Sequence, residues 1–111
     1  MFKSTMNKGV TMKFENGYKI SIQFGEINYC TTQQQSTEET SALSAEVAIY
    51  KKDKMLKVFP SYGDNKDYVE GWVDTDNVAK IIEITSNASS QKDIKVGLAN
   101  LIYNKDSEYV K

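Results

Sequence analysis

The chain has 111 residues, of which 40% are hydrophobic, 26% charged and 11% aromatic. That is enough for one modest core, too apolar for a disordered segment and too polar for a membrane span. Its 14 basic and 15 acidic residues give a formal charge of -1, and every basic residue is Lys. The absence of His and Arg excludes His-dependent triads and metal sites, and guanidinium clamps on phosphate.

Residues Met1 to Met12 carry Lys3, Thr5, Asn7 and Lys8 with no apolar stretch, so they do not read as a signal peptide. Back-translated, Asn7-Lys8-Gly9-Val10-Thr11-Met12 gives AAT AAA GGA GTG ACA ATG, a purine-rich ribosome-binding site ahead of a start codon. Residues 1–11 are therefore expected to be either a flexible tail or a non-native extension, with translation beginning at Met12. The single cysteine, Cys30, allows no internal disulfide, which fits a reducing cytosol.

In chain order, Asn16-Gly17 between polar–apolar alternations predicts a hairpin turn. Tyr18, Ile20, Ile22 and Phe24 alternate with Lys19, Ser21 and Gln23, which predicts a strand over Tyr18–Phe24. The aperiodic polar run from Thr31 to Ser41 reads as an exposed loop within Gly25–Ala42. Alternation resumes at Ser44–Tyr50, with Ala45, Val47 and Ile49 on one face. Lys51-Lys52-Asp53-Lys54 reads as a charged turn and Met55–Phe59 as the returning strand. After the turn cluster Pro60–Asn65, Tyr68–Val73 reads as a strand with Val69 and Val73 on one face, and Tyr68, Glu70 and Trp72 on the other.

Asp74-Thr75-Asp76 supplies capping oxygens ahead of Val78, Ile81, Ile82 and Thr85, spaced as one helical face. Ile94, Leu98, Leu101 and Ile102 mark a second helix from about Gln91 to Asn104. Gly97 lies inside it, at a cost of roughly 1 kcal/mol relative to Ala. Lys105–Lys111 reads as a frayed tail. The expected architecture is α+β: a four- or five-stranded antiparallel sheet followed by two C-terminal helices packed on one face, forming a single domain over residues 12–104.

Chemistry is sparse. Cys30 has no His to activate it, and no Lys lies between Lys19 and Lys51. Asp64, Asp67, Glu70, Asp74 and Asp76 cluster in sequence without calcium-loop spacing, and helix capping accounts for Asp74 and Asp76. Phosphate-cradling glycine motifs are absent. Lys51, Lys52 and Lys54 read as a solvated turn, and the overall charge disfavours a duplex-DNA binder.

The aromatics are more informative, with 7 Tyr, 4 Phe and 1 Trp. By strand parity Tyr50, Tyr68 and Trp72 oppose the aliphatic face and line an exposed aromatic surface; with parity off by one, Trp72 belongs to the core instead. Exposed aromatics anchor protein partners and stack on nucleobases. In the segment around Gly25, Gln23 and Phe24 are further candidate binding residues, and Asn28 and Tyr29 present amide and phenol groups to a ligand, or else the segment is a bulge and Asx turn holding the start of the long loop.

Asn16-Gly17-Tyr18, Ser21-Ile22-Gln23-Phe24-Gly25, Asn28-Tyr29-Cys30, Ser44–Ala48 and Gly71-Trp72-Val73 together resemble a pattern in small phage-encoded accessory proteins. The resemblance spans roughly residues 14–86 and carries no catalytic residues with it. It implies a small phage or prophage protein acting in the cytoplasm of a bacterial host. The expectation is thus a non-enzymatic binder, with no cofactor and no membrane association, that inhibits or redirects host machinery. Its partner would be a host protein or a small nucleotide ligand, as for CRISPR inhibitors and proteins that sequester signalling nucleotides. A homodimer is allowed. The alternatives are a small carboxylate-based enzyme and a minor virion or assembly component.

Overall fold

The computed structural model describes residues 2–4, 9–24, 32–35, 40–60 and 68–104. The elements in chain order are β1 (Phe2–Ser4), β2 (Gly9–Lys13), β3 (Tyr18–Gln23), β4 (Thr32–Gln35), β5 (Thr40–Ala42), β6 (Ser44–Lys51), β7 (Lys54–Met55), β8 (Val69–Asp74), α1 (Thr75–Asn87) and α2 (Gln91–Asn104). An antiparallel sheet is followed by two C-terminal helices, the α+β arrangement expected from the sequence.

The main sheet runs β1-β2-β3-β6-β7, with β8 also paired to β6. Thus β6 is flanked by β3 along its length and, on its other side, by β8 at Ser44–Ala48 and β7 at Tyr50–Lys51. Alternation decides which side chains meet the helices. Ile20 pairs with Ile49 and Ile22 with Val47, so one face of β3 and β6 is aliphatic and buried. Ile81 of α1 and Ile94, Leu98, Leu101 and Ile102 of α2 close over that face. Gly97 lets the helices approach: a Cβ there would stand 2.8 Å from Ile84 Cγ2.

The turns follow their local chemistry. Gly17 N donates to Phe14 O (3.0 Å) and Phe14 N to Tyr18 O (2.9 Å), and Gly17 has a φ of 92°. This is a three-residue hairpin loop ending in a left-handed glycine. In the β6–β7 hairpin both Lys52 and Asp53 have positive φ, as a two-residue primed turn requires. Asp74 caps α1, its Oδ1 accepting from Asn77 N at 2.9 Å. Ser90 Oγ accepts from Asp93 N, and Asp93 returns a carboxylate oxygen to Ser89 N.

The structure departs from the sequence reading in four places. Residues 2–4 and 9–11, placed in a flexible or non-native extension, pair within the sheet, where Val10 lies opposite Ile22. The polar run after Thr31 contains a second small sheet, β4 with β5, rather than loop alone. Met55–Phe59 is not a full strand: pairing stops at Met55 because β8 occupies the rest of that edge of β6. Leu56, Val58 and Phe59 turn into the core instead. The fourth difference lies in β8 and shapes the candidate site. The tail 105–111 lies outside the described residues.

Candidate functional site

Strand β8 does not keep a period of two. Ala45 pairs with Val73 and Val47 with Glu70, so Gly71 and Trp72 together oppose Glu46. Two residues against one is a β-bulge, and it reverses side-chain parity along the strand. Glu70 joins Val73 on the side of Ala45 and Val47 and is buried, whereas Val69 lies opposite Ala48. The expected grouping of Val69 with Val73, and of Glu70 with Trp72, is therefore corrected. Trp72 nevertheless lies outside the core, 55% exposed.

The bulge forces an unusual backbone. Trp72 has a φ of 52°, in the left-handed region. A non-glycine residue there costs on the order of 1–3 kcal/mol, and bulky side chains occupy it rarely. The glycine beside it, Gly71, does not take that conformation; the tryptophan does. The strand thus holds a large apolar side chain outward in a strained conformation, although neither core burial nor turn geometry calls for tryptophan.

The register places further residues in the same row. Gly9 pairs with Gln23, Gln23 with Glu46, and Glu46 faces the Gly71–Trp72 bulge. Gln23 and Trp72 are therefore separated by two strand spacings, about 10 Å. Gln23 Nε2 donates to Ser21 Oγ at 3.0 Å. Two residues beyond Trp72, the chain enters α1 through Asp74, which with Asp76 is exposed. Asp74 pairs with Ser44, two positions along β6 from Glu46, and sequence reasoning missed Glu46 as part of the row.

The other candidate residues are dispersed. Tyr68, just before β8, is 37% exposed with Lys57 Nζ 5.8 Å from its ring centroid. Tyr50 is half-buried, toward the other end of the sheet, beneath Lys19 Nζ at 5.1 Å. Phe24 is partly buried against the core. Asn28 and Tyr29, like Cys30, lie outside the described residues. Gln23 and Trp72 are thus drawn into one row, whereas Tyr68 precedes the strand that carries Trp72. Tyr50 and Phe24 belong to other surroundings.

Five lysines gather at the opposite end of the sheet. Lys13 pairs with Lys19 and Lys51 with Lys54, with Lys52 in the adjoining turn. Lys51 Nζ stands 4.3 Å from the Tyr18 ring, and Lys19 Nζ 3.4 Å from Asp53 Oδ1. With Asp53 95% exposed, that ion pair adds little stability.

Among the described residues, no three His, Cys, Asp or Glu side chains gather to hold a metal. A cavity of about 360 Å³ along the helices has Ile84 and Leu101 in its lining, with Lys80, Glu83 and Asn87. No helix among the described residues is long and apolar enough to cross a membrane. Comparison with family models, curated proteins and solved structures finds no match.

Proposed function

We propose that this chain is a non-enzymatic binding protein, a phage-type accessory protein that inhibits or redirects host machinery in the bacterial cytoplasm. The observation that carries the binding reading is Trp72, 55% exposed and held in a left-handed backbone conformation on a bulged strand. Strain of this kind concentrates at functional positions, and tryptophan is among the residues that most often anchor protein interfaces. Gln23 in the same row extends the surface. The phage provenance rests on the phrases Ser21–Gly25, Asn28–Cys30 and Gly71–Val73. The partner is a host protein engaged at fixed stoichiometry, as in an anti-defence inhibitor.

The test is capture from the cytoplasm of a host bacterium with the parent chain and with a folded Trp72→Ala variant. A stoichiometric host protein retained by the parent and lost by the variant supports the proposal. Equal retention by both removes the Trp72 surface from it. A released nucleotide with no protein partner turns the reading to sequestration of a small ligand.

A further inference from the structure

We infer that Asn16 is a site of spontaneous covalent modification: deamidation by the backbone nitrogen of Gly17. The folded chain holds the reaction back, and its product unseats the hairpin from α1. Asn16 is the only asparagine of the sequence followed by glycine. Glycine has no Cβ to shield its nitrogen or restrict its φ, so that nitrogen can reach the preceding side chain. In the first step Gly17 N gives its proton to solvent and bonds to Asn16 Cγ. The Cγ–Nδ2 bond breaks, and Nδ2 leaves as ammonia with a proton taken back from solvent. Water then opens the cyclic imide. Cleavage of the new Cγ–N bond leaves aspartate; cleavage between the Asn16 main-chain carbonyl carbon and Gly17 N leaves isoaspartate. A water is consumed, an ammonia is released, and nothing is oxidised or reduced.

The fold engages every group this chemistry needs. Gly17 N donates to Phe14 O at 3.0 Å, so the proton it would have to lose is held. Asn16 Nδ2 donates to the carbonyls of Thr85, Ser86 and Ala88, and Oδ1 accepts from Tyr18 N, which fixes the side-chain amide from both ends. Ring closure must break these bonds. It therefore waits for the turn to part from the end of α1, and its rate follows the population of that opened state. The product does not close the same contact. A carboxylate still accepts from Tyr18 N, but it has no N–H for the three carbonyls and brings negative charge to the negative end of the helix. Isoaspartate also inserts a methylene into the main chain within the hairpin loop. Each opening that reacts is thus irreversible, and chains with a loosened α1 cap accumulate.

Timed incubation of the whole chain at one pH and temperature, folded and in guanidinium chloride, tests this by peptide mass mapping. The peptide carrying Asn16 is expected to gain the mass that replaces NH2 by OH. The gain should be at least about tenfold slower in the folded chain, the factor set by an opening free energy of about 1.4 kcal/mol. Asn16→Gln, whose side chain would have to close a larger ring, is expected to abolish the gain in both conditions. The modified protein, separated by its added negative charge, is expected to unfold at lower urea than the parent and to lose hydrogen-exchange protection at Phe14 and Gly17. Equal rates in the folded and unfolded chain overturn the protection. No mass gain at Asn16 in guanidinium chloride overturns the site itself. A modified chain as stable as the parent overturns the consequence for the cap.

Discussion

The side-chain amide of Asn16 donates to the carbonyl of Thr85 at 2.8 Å, across 69 positions of sequence. The same nitrogen reaches Ala88 O at 3.0 Å and Ser86 O at 3.3 Å, while Asn16 Oδ1 accepts from Tyr18 N at 3.1 Å. A hairpin turn thus caps the C-terminal end of α1, whose last turn carries no basic residue. Carbonyls left without partners at a helix end need such donors.

Replacing Asn16 with alanine is expected to cost about 1–3 kcal/mol, because several acceptors lose one donor. Asn16→Asp keeps the shape and the bond from Tyr18 but places a negative charge at the negative end of the helix dipole. It is expected to cost at least as much as alanine at neutral pH. Urea denaturation of both variants checks this; an Asp variant as stable as the parent contradicts the cap.

Gly97→Ala weighs two opposed effects. Helix propensity favours alanine by about 1 kcal/mol, whereas overpacking costs about 1–3 kcal/mol. The Ile84 methyl in the way is fixed close to its backbone, so the clash prevails and the variant is expected to be less stable. Gly97→Ala combined with Ile84→Ala should lose less than the sum of the two single changes. Thermal denaturation of the three variants measures this coupling.

A chain beginning at Met12 lacks β1 and the pairing of Gly9–Thr11 with Ser21–Gln23. It also lacks Val10, which packs partly buried against the core. The truncated form is expected to be less stable by at least about 1 kcal/mol. Hydrogen exchange should show Ile20 to Gln23 losing protection, and unchanged protection would contradict the role of β2 in the sheet.

Trp72→Gly relieves the left-handed backbone. It is expected to leave stability unchanged or raise it by about 1 kcal/mol, since a half-exposed side chain returns little burial. The same variant should lose binding at this surface. A clear loss of stability would mean that Trp72 serves packing after all.

Much of the frame is legible in the sequence because it follows from period alone. Ile20, Ile22, Val47 and Ile49 declare the buried face of the central strands, and Ile94, Leu98 and Leu101 that of the second helix. Asp74 announces the helix start by its type and position. The bulge was missed because parity was carried straight through Gly71, and a glycine inside a strand is itself a bulge signal. Glu46 joined the site only through register across strands, which a linear reading does not supply. The cap from Asn16 to Thr85 depends on tertiary packing, so its Asn-Gly pair disclosed the turn and nothing of the helix it serves. The shortness of β7 likewise came from competition with β8 for one edge of β6.

The most direct test of the account is collisional quenching of Trp72 fluorescence in the folded protein by a cation and an anion, caesium and iodide, at matched ionic strength. An outward-held indole that is 55% exposed should be quenched readily by both ions. An indole shielded from both ions would contradict the exposed surface at the centre of the account.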